Sequence, residues 1–406
     1  MDPHLAQRME HLMSHPLLEK DLLSTCVHCG FCLEVCPTYR LTGDENNSPR
    51  GRLRLWREEA SGRLARDPET DFYTSECVGC LACEPVCPAG VAYGDILEQT
   101  RNEHVSAGRF HPKPELRLAA QAVRYPALFN AALAPARALR SLGFFPHPLI
   151  FPGRPHVTES TAAYARRLMM LHKPTGPRVA LLTGCLMEAM FREINFATVR
   201  VLVDNNIQVV IPDEQGCCGA FHEHTGLDGV DELRAQNRRA FLPLAVDAAV
   251  SNSAGCGLGL KKTLAPEMPV RDVLEFLGEI GIKAREPRGG NARVYVDLPC
   301  HLVHGQRSPG IPSAVLGATG LRWELAPCAK DCCGSGGIYN IQKPNNAREI
   351  LANKSAFLNE AEGDPVVLAT SNHVCMMQWN SAKSLVKRPF QVRHVIQLLD
   401  PGTSGF

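Results

Sequence analysis

The chain has 406 residues, enough for two or three domains that each bury a core. Its 43 basic and 42 acidic residues nearly cancel, which argues against a nucleic-acid partner. No run of about 20 apolar residues occurs, so no membrane-crossing helix is expected. The start, MDPHLAQRMEHLMSH, lacks the apolar stretch of a secretion signal. A reducing cytoplasm is therefore expected. There, seventeen clustered cysteines point to metal or redox chemistry rather than to disulfides.

Two runs near the start carry the clearest chemistry. CVHCGFCLEVCP places Cys26, Cys29, Cys32 and Cys36 before Pro37, and CVGCLACEPVCP places Cys77, Cys80, Cys83 and Cys87 before Pro88. Both read C-x2-C-x2-C-x3-C-P, the bacterial-type pattern for [4Fe-4S] clusters. The short spacings wrap three thiolates around one cluster, and the fourth cysteine of each run serves the other cluster. Cys26, Cys29, Cys32 and Cys87 are thus expected to hold the first cluster. Cys77, Cys80, Cys83 and Cys36 are expected to hold the second. Structural zinc normally takes two CxxC pairs separated by a longer loop, which these runs lack.

Between the runs, SPRGRLRLWREEASGRL predicts a helix, with Ser48 as its cap, Pro49 in the first turn, and Leu53, Leu55 and Trp56 on an apolar side. The wide helical gap predicts an α-helical ferredoxin domain over residues 1–110. Arg50, Arg52 and Arg54 either offset cluster charge or line a solvated helix face.

Residues 111–177 are expected to form a basic helical linker. Between 111 and 178 there are ten Lys or Arg and two acids. The Ala- and Leu-rich stretch with spaced arginines suits an anionic membrane surface, a partner subunit, or packing on its own protein.

Beyond it, RVALLTGC ends at Cys185 and leads to Cys217-Cys218; RVYVDLPC ends at Cys300 and leads to Cys332-Cys333. SNSAGC then ends at Cys256, and SNHVC at Cys375. The order repeats with an offset near 115 residues, an internal duplication spanning 178–290 and 291–406. Short apolar runs such as Val179–Leu182, Val209–Ile211 and Val366–Leu368 predict buried strands. Each unit is therefore expected to be α/β with a mainly parallel sheet. Every cysteine follows a predicted strand, at the rim where open sheets bind ligands. One rim gathers Cys185, Cys217, Cys218 and Cys256, and the other Cys300, Cys332, Cys333 and Cys375, with Cys328 nearby. Each set suits a further iron–sulfur cluster, a zinc ion or buried structural thiols. His222, His224, His301, His304 and His373 flank the rims as metal ligands, proton carriers or ordinary polar contacts. The whole is an α+β multidomain chain: a helical ferredoxin domain, then two duplicated α/β units.

Two C-x2-C-x2-C-x3-C-P runs followed by two C…CCG…C repeats, with NSPRGRL, SNSAGC and DLPCHL, resemble the iron–sulfur subunits of flavin-linked 2-hydroxy-acid and glycerol-phosphate dehydrogenases, that of glycolate oxidase foremost. The resemblance covers nearly the whole chain. It implies partner subunits that hold FAD and oxidise glycolate to glyoxylate, while this chain carries electrons toward a quinone at the inner face of the cytoplasmic membrane. Lactate-utilisation and anaerobic glycerol-3-phosphate subunits share the plan. Heterodisulfide reductase repeats do too, but end in C-x2-C, where this chain has Ser253 before Cys256 and Asn372 before Cys375. No G-x-G-x-x-G follows a strand, so no nucleotide site is expected in this chain.

Overall fold

The computed structural model describes residues 22–135, 159–283, 292–400 and 402. They form a mixed α+β protein in two compact units. The first gathers the region up to residue 117 with two later pieces, 221–228 and 334–350. The second holds the rest.

The first unit is helical. Helix Pro49–Ala60 starts where expected, with the Ser48 hydroxyl accepting the Gly51 N–H at 3.0 Å. It ends at Ala60, four residues before the predicted end, where Gly62 turns the chain with positive φ. Gly51 is required by packing: a Cβ there would stand 2.0 Å from the Glu45 carbonyl oxygen. Leu53, Trp56 and Ala60 bury against Ile96 and Leu97 of helix Tyr93–Ser106, and Cys77 and Cys83 belong to this same core.

The second unit contains two sheets. In the first, β1 (Arg178–Leu182), β2 (Gln208–Val210), β3 (Ala248–Ser251) and β4 (Val270–Asp272) lie in the order β2-β1-β3-β4. In the second, β5 (Arg293–Val296), β6 (Arg322–Leu325), β7 (Val366–Thr370) and β8 (Phe390–His394) lie in the order β6-β5-β7-β8. Every pairing is parallel, so the duplication read from cysteine spacing is also a duplication of topology. β1 and β7 are buried almost throughout, as near-continuous apolar runs with helices on both faces must be.

One apolar core passes through both repeats, taking Val179, Leu181 and Val250 from the first and Val294, Val296 and Val367 from the second. Polar contacts cross with it. The Ala254 N–H donates to Ser371 O at 3.2 Å, and His394 Nε2 lies 2.8 Å from Asn252 O. Arg200 and Asp400 pair at 2.6 Å.

The basic segment is helical over Pro114–Val123, Pro126–Ala132 and Thr161–His172. Arg137, Arg140 and Arg154 lie outside the described residues. Among the described residues, no helix is long and apolar enough to cross a membrane.

Candidate cluster sites and cysteine rims

The first run is a tight loop, with the Leu33 N–H donating to Gly30 O at 3.0 Å and Cys36 N–H to Leu33 O at 3.1 Å. A pocket beside it is lined by Cys26, Cys29, Cys32 and Cys87, and also by Cys83 and Tyr93. Cys29 is exposed, while Cys26, Cys32 and Cys87 are half-buried. Val27 and Phe31, 68% and 65% exposed, flank the opening, so this pocket faces solvent through an apolar lip.

The remaining four ferredoxin cysteines, Cys36, Cys77, Cys80 and Cys83, are all buried. Burial pushes the Cys83 thiol well up, and the nearby Cys77 and Cys36 add to it. The Tyr93 hydroxyl donates to Cys77 Sγ at 3.6 Å, and the Gly79 N–H does so at 3.4 Å. Cys36 Sγ lies 3.3 Å from Thr38 Oγ1.

Of the three arginines left open by the sequence, only Arg52 is buried. Its Nε donates to Tyr73 O at 2.6 Å, and its Nη2 to Thr38 Oγ1 and Asn47 Oδ1, both at 3.2 Å. Nη1 is buried without an acceptor in hydrogen-bonding geometry. Burial opposes its charge, but Tyr93, Cys77 and Cys36 around it hold the guanidinium above the usual arginine range. A buried cation beside four buried cysteines fits an anionic thiolate-bound cluster at this place.

His224 is placed differently from the expectation that it flanks a rim. Its ring lies in the first unit between two glycine backbones. A Cβ on Gly79 would stand 3.3 Å from the ring, and one on Gly337 would stand 2.8 Å away. Both glycines have positive φ. Gly79 lies between Cys77 and Cys80, so the ring packs on the second cysteine loop. The sequence signal was the glycine in CVGC together with GSGG, though nothing local links either to His224.

In the first repeat the thiols form a chain. Cys185 Sγ donates to Cys217 Sγ at 3.4 Å. Contact with Cys185 and burial hold Cys217 well above the thiol range, as contact with Cys217 does for Cys218 and contact with Cys218 for Cys256. In the second repeat, Cys333 is raised by contact with Cys332, and Cys375 by contact with Cys333. Cys300 stands just before a π-type turn, His301–Gly305. Cys328 donates instead to the Lys354 carbonyl at 3.0 Å. Cys256 and Cys375 both sit in the first turn of a helix, Ala254–Leu264 and His373–Ser381. Among the described residues, no three His, Cys, Asp or Glu stand close enough for one metal ion.

Ser253 and Asn372, the positions without the thiol of C-x2-C, meet each other. Ser253 Oγ donates to Asn372 Oδ1 at 2.9 Å and lies 2.9 Å from His373 Nδ1. Asn372 Nδ2 donates to Cys375 Sγ at 3.3 Å. A polar bridge between the repeats therefore occupies the place of two thiols. Burial, with His394 nearby, pushes His373 down to about 3, so it bridges as neutral imidazole. His304 lies 3.2 Å from Lys330 O.

Comparison with known proteins agrees with this architecture. A 4Fe-4S dicluster domain family matches residues 22–91, and a cysteine-rich domain family matches 179–261 and 294–380. The chain is 33% identical to a probable glycolate oxidase iron-sulfur subunit of Bacillus subtilis, over 89% of each chain. It belongs to the glycolate oxidase iron–sulfur subunit family. The Escherichia coli glycolate oxidase iron-sulfur subunit is 32% identical over 94% of this chain and 95% of that protein. A CoB–CoM heterodisulfide reductase subunit of Methanosarcina barkeri is 23% identical over 93% of both chains. As its dicluster domain requires, this family member takes [4Fe-4S] clusters.

Proposed function

We propose that this chain is the electron-carrying subunit of a glycolate-oxidising complex, an oxidoreductase whose FAD lies in partner subunits. The observation that carries this reading is identity above 30% with glycolate oxidase subunits along nearly the whole chain, with all eight ferredoxin cysteines present. Bound [4Fe-4S] clusters supply one-electron chemistry, which a two-electron flavin oxidation needs in order to reach a separate acceptor. Cys26, Cys29, Cys32 and Cys87 would hold one cluster at the open pocket, and Cys36, Cys77, Cys80 and Cys83 the other in the buried core. The rim cysteines, Cys185, Cys217, Cys218 and Cys256 with Cys300, Cys332, Cys333 and Cys375, would hold a further cluster or zinc.

The acceptor side is a quinone at the inner membrane face. Support comes from the basic segment, where Leu118, Tyr125 and Leu128 are 73%, 61% and 67% exposed among arginines. Flotation with anionic vesicles tests that contact: a chain that stays with the soluble fraction at low salt removes it.

The central test is affinity purification of the full chain from its native extract. A co-purifying FAD protein that reduces a dye with glycolate but not lactate supports the reading. One that prefers lactate, or the absence of any FAD protein, overturns it. About eight irons per anaerobically purified chain are expected from two cubanes, and more would mean that the rims bind iron as well.

A further inference from the structure

The two ferredoxin sites differ in how charge is handled. The first opens to solvent past Cys29, and Arg50 beside it is 26% exposed and tied to Glu45 at 2.5 Å. Arg54 is exposed. Water already screens added charge there. All four cysteines of the second site are buried, with no such screening. What stands beside them is Arg52, which is 0% exposed. Its guanidinium is locked by Tyr73, Thr38 and Asn47, and Thr38 in turn touches Cys36. Its Nη1 is buried with Tyr93 nearby and no acceptor in full hydrogen-bonding geometry. Half-buried Arg101 adds a second cation, donating to Cys77 O at 2.5 Å.

A cluster that takes up one electron gains one negative charge. A fixed cation in a low-dielectric surrounding stabilises that reduced form more than the oxidised one. We propose that Arg52, backed by Arg101, sets the reduction potential of the second cluster, raising it and making it the place where the electron settles. This rests on the cluster assignment given above. Arg52 is then a positioning residue: it does not bind the electron's donor or acceptor. Its fixed charge makes the buried site electrophilic without a proton being taken up. The electron comes from the reduced flavin in the proposed complex, or from a mediated reductant in the cuvette.

The test is an EPR-monitored redox titration of the anaerobically purified full chain. The wild type should show two one-electron waves with about eight irons. Replacing Cys29 by Ser alters the wave of the open cluster and so assigns both. In R52Q the other wave should move to lower potential by at least tenfold in reduced fraction, about 59 mV for one electron. R52K, which keeps the charge, should hold the wave near its wild-type potential, and R54Q on the same helix should leave both waves in place. An R52Q protein with full iron and an unmoved second wave overturns the proposal, as does a shift confined to the Cys29-assigned wave. If R52Q loses iron, R101Q decides: a smaller shift of the same wave in the same direction upholds the proposal, and no shift sinks it. Fewer than about eight irons in the wild type would instead refute the two-cluster reading itself, leaving a result of a different kind.

Discussion

The two cysteine-rich repeats share strand order and parallel register, yet the same position is Leu182 in one and Asp297 in the other. Both are 1% exposed. Leu182 packs with Ala180, Phe241 and Ala249. Asp297 pairs with Lys354 Nζ at 2.5 Å and accepts from Trp379 Nε1 at 2.8 Å. The fold accommodates grease or an ion pair behind the same strand. The pair makes the second rim electrically unlike the first, since Lys354 lies among Cys328 and Cys333.

The sharpest way to break this comparison is Asp297→Ala, which strands a buried lysine and is expected to cost about 3–5 kcal/mol in urea unfolding. Leu182→Ala leaves a cavity instead, for about 2–5 kcal/mol. The distinction lies in the double change Asp297→Leu with Lys354→Met. Neutral or raised stability is expected, and a loss as large as that of Asp297→Ala would mean the charge is structurally required.

A second contrast lies where the last strand of each repeat caps the following helix. Asp272 does this in the first repeat and His394 in the second, each in a capping box. Burial raises the Asp272 carboxyl from its ordinary 3.8 to about 7, so the protein binds that proton more tightly than the unfolded chain does. Its contribution is fully present below pH 3.8 and is lost as pH rises toward 7. Burial lowers His394 from 6.5 to about 4, so its contribution is present above pH 6.5 and is lost as pH falls toward 4. Asp272→Asn should remove a fall in stability as pH rises from 3.8 toward 7, and His394→Gln a fall as pH drops from 6.5 toward 4, each by a few kcal/mol. Identical profiles for the two variants would refute the contrast.

The smallest expected effect is at the bridge between the repeats. Ser253→Ala removes bonds to Asn372 and His373 and should cost about 1–2 kcal/mol in thermal or urea unfolding. A change below about 0.3 kcal/mol would mean that this bridge adds nothing to the shared apolar core and the other polar contacts between the repeats.

These contrasts also mark how much was legible in the sequence. The duplication, the strands and the helix capped by Ser48 followed from local patterns: fixed spacing, apolar runs, a cap and a proline. The burial of Arg52 did not, because RGRLRLW offers three arginines at alternate positions and only the packing of helix Tyr93–Ser106 and Tyr73 selects one. Nor did the Ser253–Asn372 bridge, since residues 119 apart meet only once both repeats have folded. His224 looked like a rim residue because it follows Cys218 closely. Sequence proximity misled there, as residues 221–228 belong to the first unit, where the ring meets Gly79.

The first unit is made from three separate stretches of chain, and that fact bears on how the protein is born. The carboxylate of Glu76, next to Cys77, is 6% exposed; it pairs with Lys343 and accepts from Asn346 Nδ2 at 2.6 Å. Until the ribosome has delivered residues 343 and 346, this buried charge lacks its partners. A nascent chain stopped at residue 110 would thus carry all eight ferredoxin cysteines before the residues that pair with Glu76, beside the second cysteine loop, have been made.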